Sequence, residues 1–339
     1  MHEIRFCHIS EYKLLIEFID KYWKKDHIFT KDKNLLDWQH LDKTHDRYNF
    51  VVAYNKITNE FDAILGFIPI SQYDKSLVSN NELWLAIWKI KDSMSGKVSG
   101  IQLLFYLNNK LKPTTICSIG ITEGVKEIYD AFKYKRDTLS HFYIVTDNYR
   151  SNISDITSTN DCTNTLGKYQ IKEVFLIQDK FILEKILVSS QQYPIKSIEY
   201  IKNRFLHHPT YKYHIYGIFF NDDIVSFFIA RKIQINNGAC LRIVDYYGDF
   251  IDENICYSFK ALLKNIDAEY IDMVCHVPQV SAVIKMGFLE KDNQDIVPEY
   301  FEPFVQKNVT IDFAYKSKND IFIFKGDSDQ DRPSQKVGK

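Results

Sequence analysis

The sequence predicts an α+β protein with two similar domains, each a mixed, largely antiparallel sheet flanked by helices. Its 339 residues exceed one ordinary domain and are enough to form two separate cores. Each half of the chain repeats the same order of patterns, a strand hairpin followed by alternating strands and helices. The halves are separated by residues 151–168, a polar and turn-rich stretch that we interpret as a linker or connecting loop.

Hydrophobic periodicity gives the elements of the first domain, residues 1–150. Apolar residues recur at helical spacing from Tyr12 to Tyr22, whereas the other apolar runs are either short and strand-like or similarly amphipathic. The predicted order is strand EIRFCHIS, the Tyr12–Tyr22 helix, hairpin YNFVVAYNKITNEFDAILGFIPIS, strand ELWLAIWKI, helix GIQLLFYLNNKL, strand TICSIGI, helix EGVKEIYDAFKYK and strand HFYIVT.

The second domain, residues 169–325, repeats this plan and is followed by a polar tail, residues 326–339. Because the tail is rich in Asp, Ser and Gln, we expect the end of the chain to be frayed. The predicted order is helix SIEYIKNRFLHH, hairpin KYHIYGIFFNDDIVSFFIARKIQI, strand ACLRIVDYYGDF, helix CYSFKALLKNI, strand YIDMVCHV and helix QVSAVIKMGF.

Composition and charge exclude several classes of protein. Apolar residues make up 45% and charged residues 26%, which indicates a globular rather than a disordered chain. A net charge of −1 argues against a large basic surface, so we expect no nucleic-acid partner. No apolar run reaches membrane-spanning length, and MHEIRFCHIS lacks the layout of a signal peptide. We therefore expect a cytoplasmic protein without a membrane partner.

Six cysteines stand at positions 7, 117, 162, 240, 256 and 275. None are paired at C-x-x-C spacing, and several lie within apolar, strand-like runs. Free Cys is among the most buried residue types, so we predict six buried, reduced thiols.

A candidate anion site lies at SGKVSGIQLL, residues 95–104, where a loop with two glycines leads directly into a helix. Backbone N–H groups at a helix N-terminus point toward a ligand, and the helix dipole favours negative charge there. The P-loop motif and the dinucleotide-binding fingerprint are both absent from the sequence. Gly96 and Gly100 are equally compatible with an ordinary turn and cap.

Lys97–Gln102, followed by two leucines, resembles the pyrophosphate-binding motif R/Q-x-x-G-x-G/A of the GNAT superfamily of N-acyltransferases. The resemblance implies that this loop binds the pyrophosphate of acyl-coenzyme A. It also implies that the preceding strand parts from its neighbour and binds the pantetheine arm. Lys97 stands where Arg or Gln is usual, and Gln102 where Gly or Ala is usual. The cofactor-binding residues implied are Trp88, Ile90, Lys97, Val98, Ser99, Gly100, Ile101 and Gln102.

The segment Ile128–Tyr134 resembles the Y-x-x-x-G-F end of the next GNAT helix, with Lys133 in place of the glycine. The resemblance implies that Tyr129 protonates the departing CoA thiolate, which a phenolic hydroxyl can do as a general acid. The alternative is that Tyr129 only packs on the apolar face of an amphipathic helix.

The second domain resembles the same superfamily at Ser281–Phe288, which matches the end of the corresponding helix. Its equivalent phosphate loop would carry Asp249, Asp252 and Glu253, three carboxylates that repel a pyrophosphate. We therefore expect this domain to have kept the fold, lost the cofactor and taken over acceptor binding.

Two segments, Arg204–Tyr213 and Gly326–Pro333, resemble bacterial N-acyltransferases that act on dTDP-linked amino sugars in surface-polysaccharide synthesis. The acceptor implied is a sugar such as a 3-amino-3,6-dideoxyhexose, and the acyl group is acetyl or 3-hydroxybutanoyl. Polar side chains suit sugar hydroxyls or phosphate, and aromatic rings suit a base. A solvated terminus and ordinary strand packing are the alternatives. The predicted substrate-binding residues are Tyr211, Tyr213, Tyr246, Tyr247, Asp327, Asp329 and Arg332.

The acceptor amine must lose a proton to a base, and the candidates are His207, His208 and Asp245. His has a suitable ordinary pKa, although His207 and His208 could equally cap a helix end. No metal-ligand spacing and no G-x-S-x-G elbow occur, so we expect no metal and no serine hydrolase. Two rival functions stay open: an aminoacyl-tRNA-dependent transferase with tandem GNAT-like domains, and a non-catalytic binding protein of this fold.

Overall fold

The computed structural model describes residues 2–94, 100–160, 162 and 168–334. The first part of the chain forms β1 (His2–His8), α1 (Tyr12–Phe18), α2 (Ile28–Lys31), α3 (Lys33–His40), β2 (Leu41–Asp42), β3 (Arg47–Asn55), β4 (Glu60–Pro69), β5 (Glu82–Ile90), α4 (Gly100–Leu111), β6 (Thr115–Ile119), α5 (Glu123–Ala131) and β7 (Lys135–Thr138). A π-helical turn, Ile19–Trp23, extends α1.

The rest of the chain forms β8 (Ser140–Val145), β9 (Tyr169–Val174), α6 (Leu176–Ser190), α7 (Ile198–Ile201), β10 (His214–Phe220), β11 (Asp223–Ile235), β12 (Gly238–Gly248), α8 (Cys256–Asn265), β13 (Tyr270–His276), α9 (Val280–Lys285), β14 (Leu289–Glu290), β15 (Asp312–Lys316) and β16 (Ile323–Phe324). A π-helical turn, Lys202–Leu206, extends α7. No helix of the described residues is long and apolar enough to cross a membrane.

The elements form two compact units, each with its own mixed sheet. The first unit takes its described residues from Met1–Asp137, Asp312–Lys318 and Arg332–Lys339, the second from Thr138–Ile311 and Asn319–Asp331. The first sheet has the order β1-β3-β4-β5-β6-β15-β7, with β2 beside β3; the second has the order β14-β8-β13-β12-β11-β10-β9, with β16 beside β13. Antiparallel neighbours predominate, and the parallel pairs are β5–β6 and β12–β13. The predicted fold class is confirmed.

Each sheet includes one strand that is distant in sequence from the strands beside it. In the first sheet β15 lies between β6 and β7, whereas in the second sheet β8 lies between β13 and β14. The sequence analysis places HFYIVT at the end of the first domain. The structure instead pairs this strand with β13, from Tyr270 opposite Val145 to Cys275 opposite Ser140. The first unit therefore ends at Asp137, earlier than residue 150, before its chain returns at Asp312.

Helices pack against each sheet through their apolar faces. In the first unit, α4 and α5 cover one face through residues such as Leu103 and Leu107, and α1 covers the other through Leu15 and Phe18. In the second unit, α8 packs on β11–β13 through Phe259 and its neighbours. Both cores are formed by the alternating apolar positions that identified the strands.

The residues after β8 are more ordered than a polar linker suggests. Ile153 and Ser154 are buried, and Asp155 forms a β-bridge with Ile296. Cys162 and Cys256 form a disulfide with their Cα atoms 5.6 Å apart, so the prediction of reduced thiols is wrong for this pair. The 94-residue separation gave no spacing signal for it. The other four cysteines are buried and free.

Candidate functional site

The candidate site of the first unit begins where the parallel strands β5 and β6 part. Their pairing runs from Glu82 opposite Thr115 to Leu85 opposite Ser118 and stops there, although β5 continues to Ile90. A bulge lies at the same point, because Leu65 of β4 pairs with Trp88 and Phe67 pairs with Leu85. The extra residue bends β5 locally. No strand of the described residues pairs with the end of β5 on the β6 side.

Trp88, Gly100 and Tyr129 converge beside this opening. A Cβ atom placed on Gly100 would lie 2.9 Å from both Nε1 and Cζ2 of the Trp88 indole. The same indole also meets Tyr129 edge to face, with ring centroids 5.9 Å apart. Ile90 packs against the same core. The structure thus assembles residues from the end of β5, the start of α4 and α5, which the sequence analysis assigns to cofactor and catalysis.

The start of α4 places the positive end of a helix dipole beside this opening. The helix begins at Gly100 and is 12 residues long, and its first turn carries the exposed side chains of Ile101 and Gln102. The dipole of a helix favours an anion beside its N-terminus. The predicted ligands Lys97, Val98 and Ser99 lie outside the described residues.

Tyr129 is buried, and the side chain of Ser118 lies close to its hydroxyl. Burial raises the pKa of Tyr129 well above its ordinary value, so the phenol is protonated at neutral pH. Ser118 belongs to the last pair of β5 and β6, so Tyr129 lies near the point where the strands part. A serine inside the apolar run TICSIGI has no motif around it, so no sequence pattern marked Ser118.

The second unit has the same bulge and the same parting of strands. The parallel pairing of β12 with β13 stops at Ile243 opposite Met273, and Ile229 of β11 pairs with Asp245 while Ala230 pairs with Ile243. Here, however, the chain itself occupies the opening. Strand β16 pairs with the end of β13, and the N–H of Gly326 donates to the carbonyl oxygen of Val244, at 2.8 Å. The C-terminal segment 323–331 therefore bridges the two parted strands.

A buried ion cluster holds this segment in place. The ammonium of Lys196 lies 2.7 Å from the Asp245 carboxylate and 2.8 Å from that of Asp327. The hydroxyl of Tyr247 also donates to Asp245, at 2.6 Å. Burial and the neighbouring Asp327 raise the pKa of Asp245 to about 6, although Lys196 opposes the shift. This cluster shows that Asp327 and Asp245 have structural partners within the unit.

A second buried pair lies four residues further along the segment. Arg231 donates to both oxygens of Asp331, at 2.7–3.2 Å, and the Tyr213 hydroxyl donates to the same carboxylate at 2.7 Å. The guanidinium of Arg231 also lies over the Tyr211 ring, 4.0 Å from its centroid. Although burial alone would raise it, the ion pair with Arg231 lowers the pKa of Asp331.

The remaining predicted site residues are distributed over both units. Arg332 contacts the His27 imidazole at 2.8 Å in the first unit, and Asp329 is half-buried beside Ser328 and Gln330 in the second. The Tyr246 hydroxyl donates to the carbonyl oxygen of Asp249 at 2.8 Å. The surroundings of the predicted acceptor residues thus favour internal packing, the alternative that the sequence left open.

The two candidate histidines differ in environment. His207 is exposed and contacts only Asn203 through its Nδ1, at 3.3 Å. His208 is buried, and its Nδ1 accepts hydrogen bonds from the backbone N–H groups of Thr210 and Tyr211. Burial lowers the pKa of His208 to about 3, so it is neutral at physiological pH. The geometry of His208 is that of a turn cap.

The first unit also contains a pocket of about 610 Å³ on the α1 face of the sheet, a volume typical of small-molecule sites. The pocket ends at Lys91, the residue directly after β5, whose ammonium is paired with Glu60 and Asp62 at 2.7 and 2.9 Å. Its lining comprises Leu14, Glu17, Phe18, Asp20, Lys21, Tyr22, Lys25, Glu60, Phe61 and Lys91.

No family model and no curated protein sequence matches the chain. Solved structures do match over 94% of it. GCN5-related N-acetyltransferases from Anabaena variabilis ATCC 29413 and Kribbella flavida are 13% and 10% identical, with 73% and 72% of their chains covered and a TM-score of 0.58 each. A conserved protein of unknown function from Enterococcus faecalis V583, described as a probable N-acyltransferase, is 9% identical, with 72% covered and a TM-score of 0.53. At these identities the matches establish the fold, which is that of tandem GNAT-like domains.

Proposed function

We propose that this protein is an acyl-CoA-dependent N-acyltransferase with one acyl-CoA site, in the first unit. The observation that carries the proposal is the opening between β5 and β6, bordered by Trp88, Gly100 and Tyr129. An acyl-CoA needs an extended strand edge for its pantetheine arm and an anion site for its pyrophosphate. The end of β5 and the first turn of α4 offer both side by side, and only glycine fits against Trp88 at the helix start.

The reaction forms a C–N bond between the acceptor amine and the acyl carbon and breaks the C–S bond of the thioester. The CoA sulfur leaves as a thiolate and takes up a proton, while the attacking nitrogen loses one. Tyr129 is the proposed proton donor, because its ring borders the opening beside Trp88 and its raised pKa keeps the hydroxyl protonated. No base is assigned to the amine.

The acceptor site that the geometry favours is the pocket beside Lys91. Its walls carry carboxylates and ammonium groups in equal number, which can contact the amine and the phosphates of a nucleotide-linked acceptor, and an apolar floor that includes Phe18 and Phe61. Within this proposal the acceptor is an amino group on a dTDP-linked sugar. That finer assignment comes from the resemblance of Arg204–Tyr213, a segment of the second unit, to sugar N-acyltransferases. Tyr213 and the polar groups of the C-terminal segment are engaged internally.

The test combines binding with turnover. Calorimetry should show that CoA binds the full chain, and release of free thiol from acetyl-CoA should depend on an added dTDP-amino sugar. Transfer of the aminoacyl group from aminoacyl-tRNA, with release of deacylated tRNA and no free thiol, would favour the rival transferase. Folded protein that binds no CoA would contradict the proposal and leave a non-catalytic protein of this fold.

A further inference from the structure

Helix α6 of the second unit exposes an apolar crest that the rest of the unit leaves uncovered. Ile177, Phe181 and Val188 are 98%, 71% and 70% exposed. The opposite side of the helix is buried through Leu183 and Ile186. A row of large apolar side chains is seldom left exposed on a monomeric protein, so this crest indicates a partner.

The spacing of the crest is that of a helix–helix seam. Ile177, Phe181, Glu184 and Val188 follow one another at intervals of four, three and four residues, the a/d pattern of a coiled coil. Lys180 lies on the same flank of the crest as Glu184, one helical turn earlier. On the other flank, the Lys185 ammonium lies over the Phe181 ring, 4.4 Å from its centroid.

We propose that α6 is a homodimer interface in which two copies pack antiparallel about a two-fold axis. The register that sets Ile177 opposite Val188 of the partner copy also sets Phe181 opposite Glu184. With a rise of about 1.5 Å per residue, Lys180 of one copy then lies within one residue of the level of Glu184 of the other. Because equal flanks meet in an antiparallel pair, two Lys180–Glu184 ion pairs form by symmetry.

Charge distinguishes this arrangement from the alternatives. A parallel, in-register pair would place Glu184 beside Glu184 at the centre of the seam, so like charges would oppose it. Insertion of the crest into a lipid surface would carry the charge of Glu184, which lies in the middle of the crest, into an apolar medium, which is costly. A single 15-residue helix spans about 22 Å, so the interface is at the small end of stable interfaces and the dimer should be reversible.

Sedimentation of the full chain between about 5 and 500 µM tests the proposal. We expect a concentration-dependent dimer and a dissociation constant raised at least tenfold by Phe181→Asp. Ile57→Asp is the matched control, since Ile57 is an exposed apolar residue of the first unit (79% exposed), and it should leave dimerisation unchanged. Circular dichroism melting checks that each variant is folded.

A charge exchange makes the test specific for register. Glu184→Lys and Lys180→Glu should each weaken self-association, whereas an equal mixture of the two variants, and the double variant, should dimerise. A native chain that is monomeric at every concentration would overturn the proposal, as would single variants that dimerise normally. Crest-dependent sedimentation of a monomeric chain with phosphatidylglycerol–phosphatidylcholine vesicles would assign the crest to a membrane surface instead.

Discussion

Gly100 lies in van der Waals contact with the indole of Trp88, so close that a Cβ atom would stand 2.9 Å from the ring. The φ angle of Gly100 is not in the left-handed region, and space alone therefore requires glycine. The contact joins the start of α4, which is proposed to bind pyrophosphate, to the end of β5, which is proposed to bind pantetheine. It lies where β5 parts from β6.

Gly100→Ala should therefore weaken CoA binding at least tenfold, which corresponds to about 1.4 kcal/mol. The added methyl group displaces Trp88 and with it the wall of the opening. The overpacking should also lower the stability of the first unit, by about 1–3 kcal/mol. Calorimetry with CoA below the melting transition measures the affinity. Gly124→Ala, at the start of α5, is the control, since no atom lies within 4 Å of its Cβ position. Equal CoA affinity in both variants would make this loop an ordinary turn.

Tyr129→Phe should lower kcat at least about tenfold with little change in the CoA dissociation constant, because it removes the proposed acid and keeps the ring. Thiol release under saturating substrates gives kcat. Tyr134→Phe is the matched control, a buried neighbour whose ring centroid is 5.0 Å from that of Tyr129. A normal kcat in the Tyr129 variant would leave this residue with a packing role only.

CoA should bind with a stoichiometry of one per chain. The equivalent opening of the second unit is bridged by residues 323–331, with Gly326 bonded to Val244. Titration calorimetry on protein of known active concentration measures the number of CoA molecules bound per chain. Two sites per chain would show that CoA displaces residues 323–331 from the opening of the second unit.

Asp331→Ala should destabilise the second unit by about 3–5 kcal/mol, because Arg231 would be left buried without its counter-ion. Removing every residue from Asp327 onward should be more damaging still, since Lys196 then loses a partner as well. Urea unfolding measures both. Asp320→Ala, an exposed position of the same unit, should change the midpoint little. An unchanged midpoint for Asp331→Ala would mean that the segment is a solvated terminus.

Stability should fall as the pH is lowered below about 6.5, partly because of His40. Burial lowers the pKa of His40 to about 3. Below pH 6.5 the imidazole therefore binds a proton in the unfolded chain but stays neutral in the folded chain, which lowers the free energy of unfolding. Each such group costs roughly 1.4 kcal/mol per pH unit. Between pH 7.5 and 5 the stability of His40→Phe relative to the native chain should rise by roughly 2 kcal/mol. Equal slopes for the native chain and for His40→Phe would count against a buried neutral His40.

Local patterns were sufficient for most of the elements and for part of the candidate site. The hairpin of β3 and β4 and helix α4 follow from alternation and helical periodicity, which depend only on neighbouring residues. The position of Gly100 at a helix start follows from the same signal. The resemblance to the GNAT superfamily added the expected role of Gly100 in binding pyrophosphate. The structure added its neighbours, because Gly100 and Tyr129 both contact Trp88.

The sequence by itself determined the fold class and helix α4. It also supplied the candidate cofactor-binding residues of that helix and of the loop before it. Only the tertiary structure decided that β8 belongs to the second sheet and β15 to the first. The same holds for the disulfide between Cys162 and Cys256. It holds also for the buried ion pairs that Asp327 and Asp331 form with Lys196 and Arg231. The physical reason is the separation in sequence between the residues that contact each other. Periodicity shows which face of a segment is buried. The strand pairings, the disulfide and the buried ion pairs join residues about 90 to 200 positions apart, and no local pattern marks the partner.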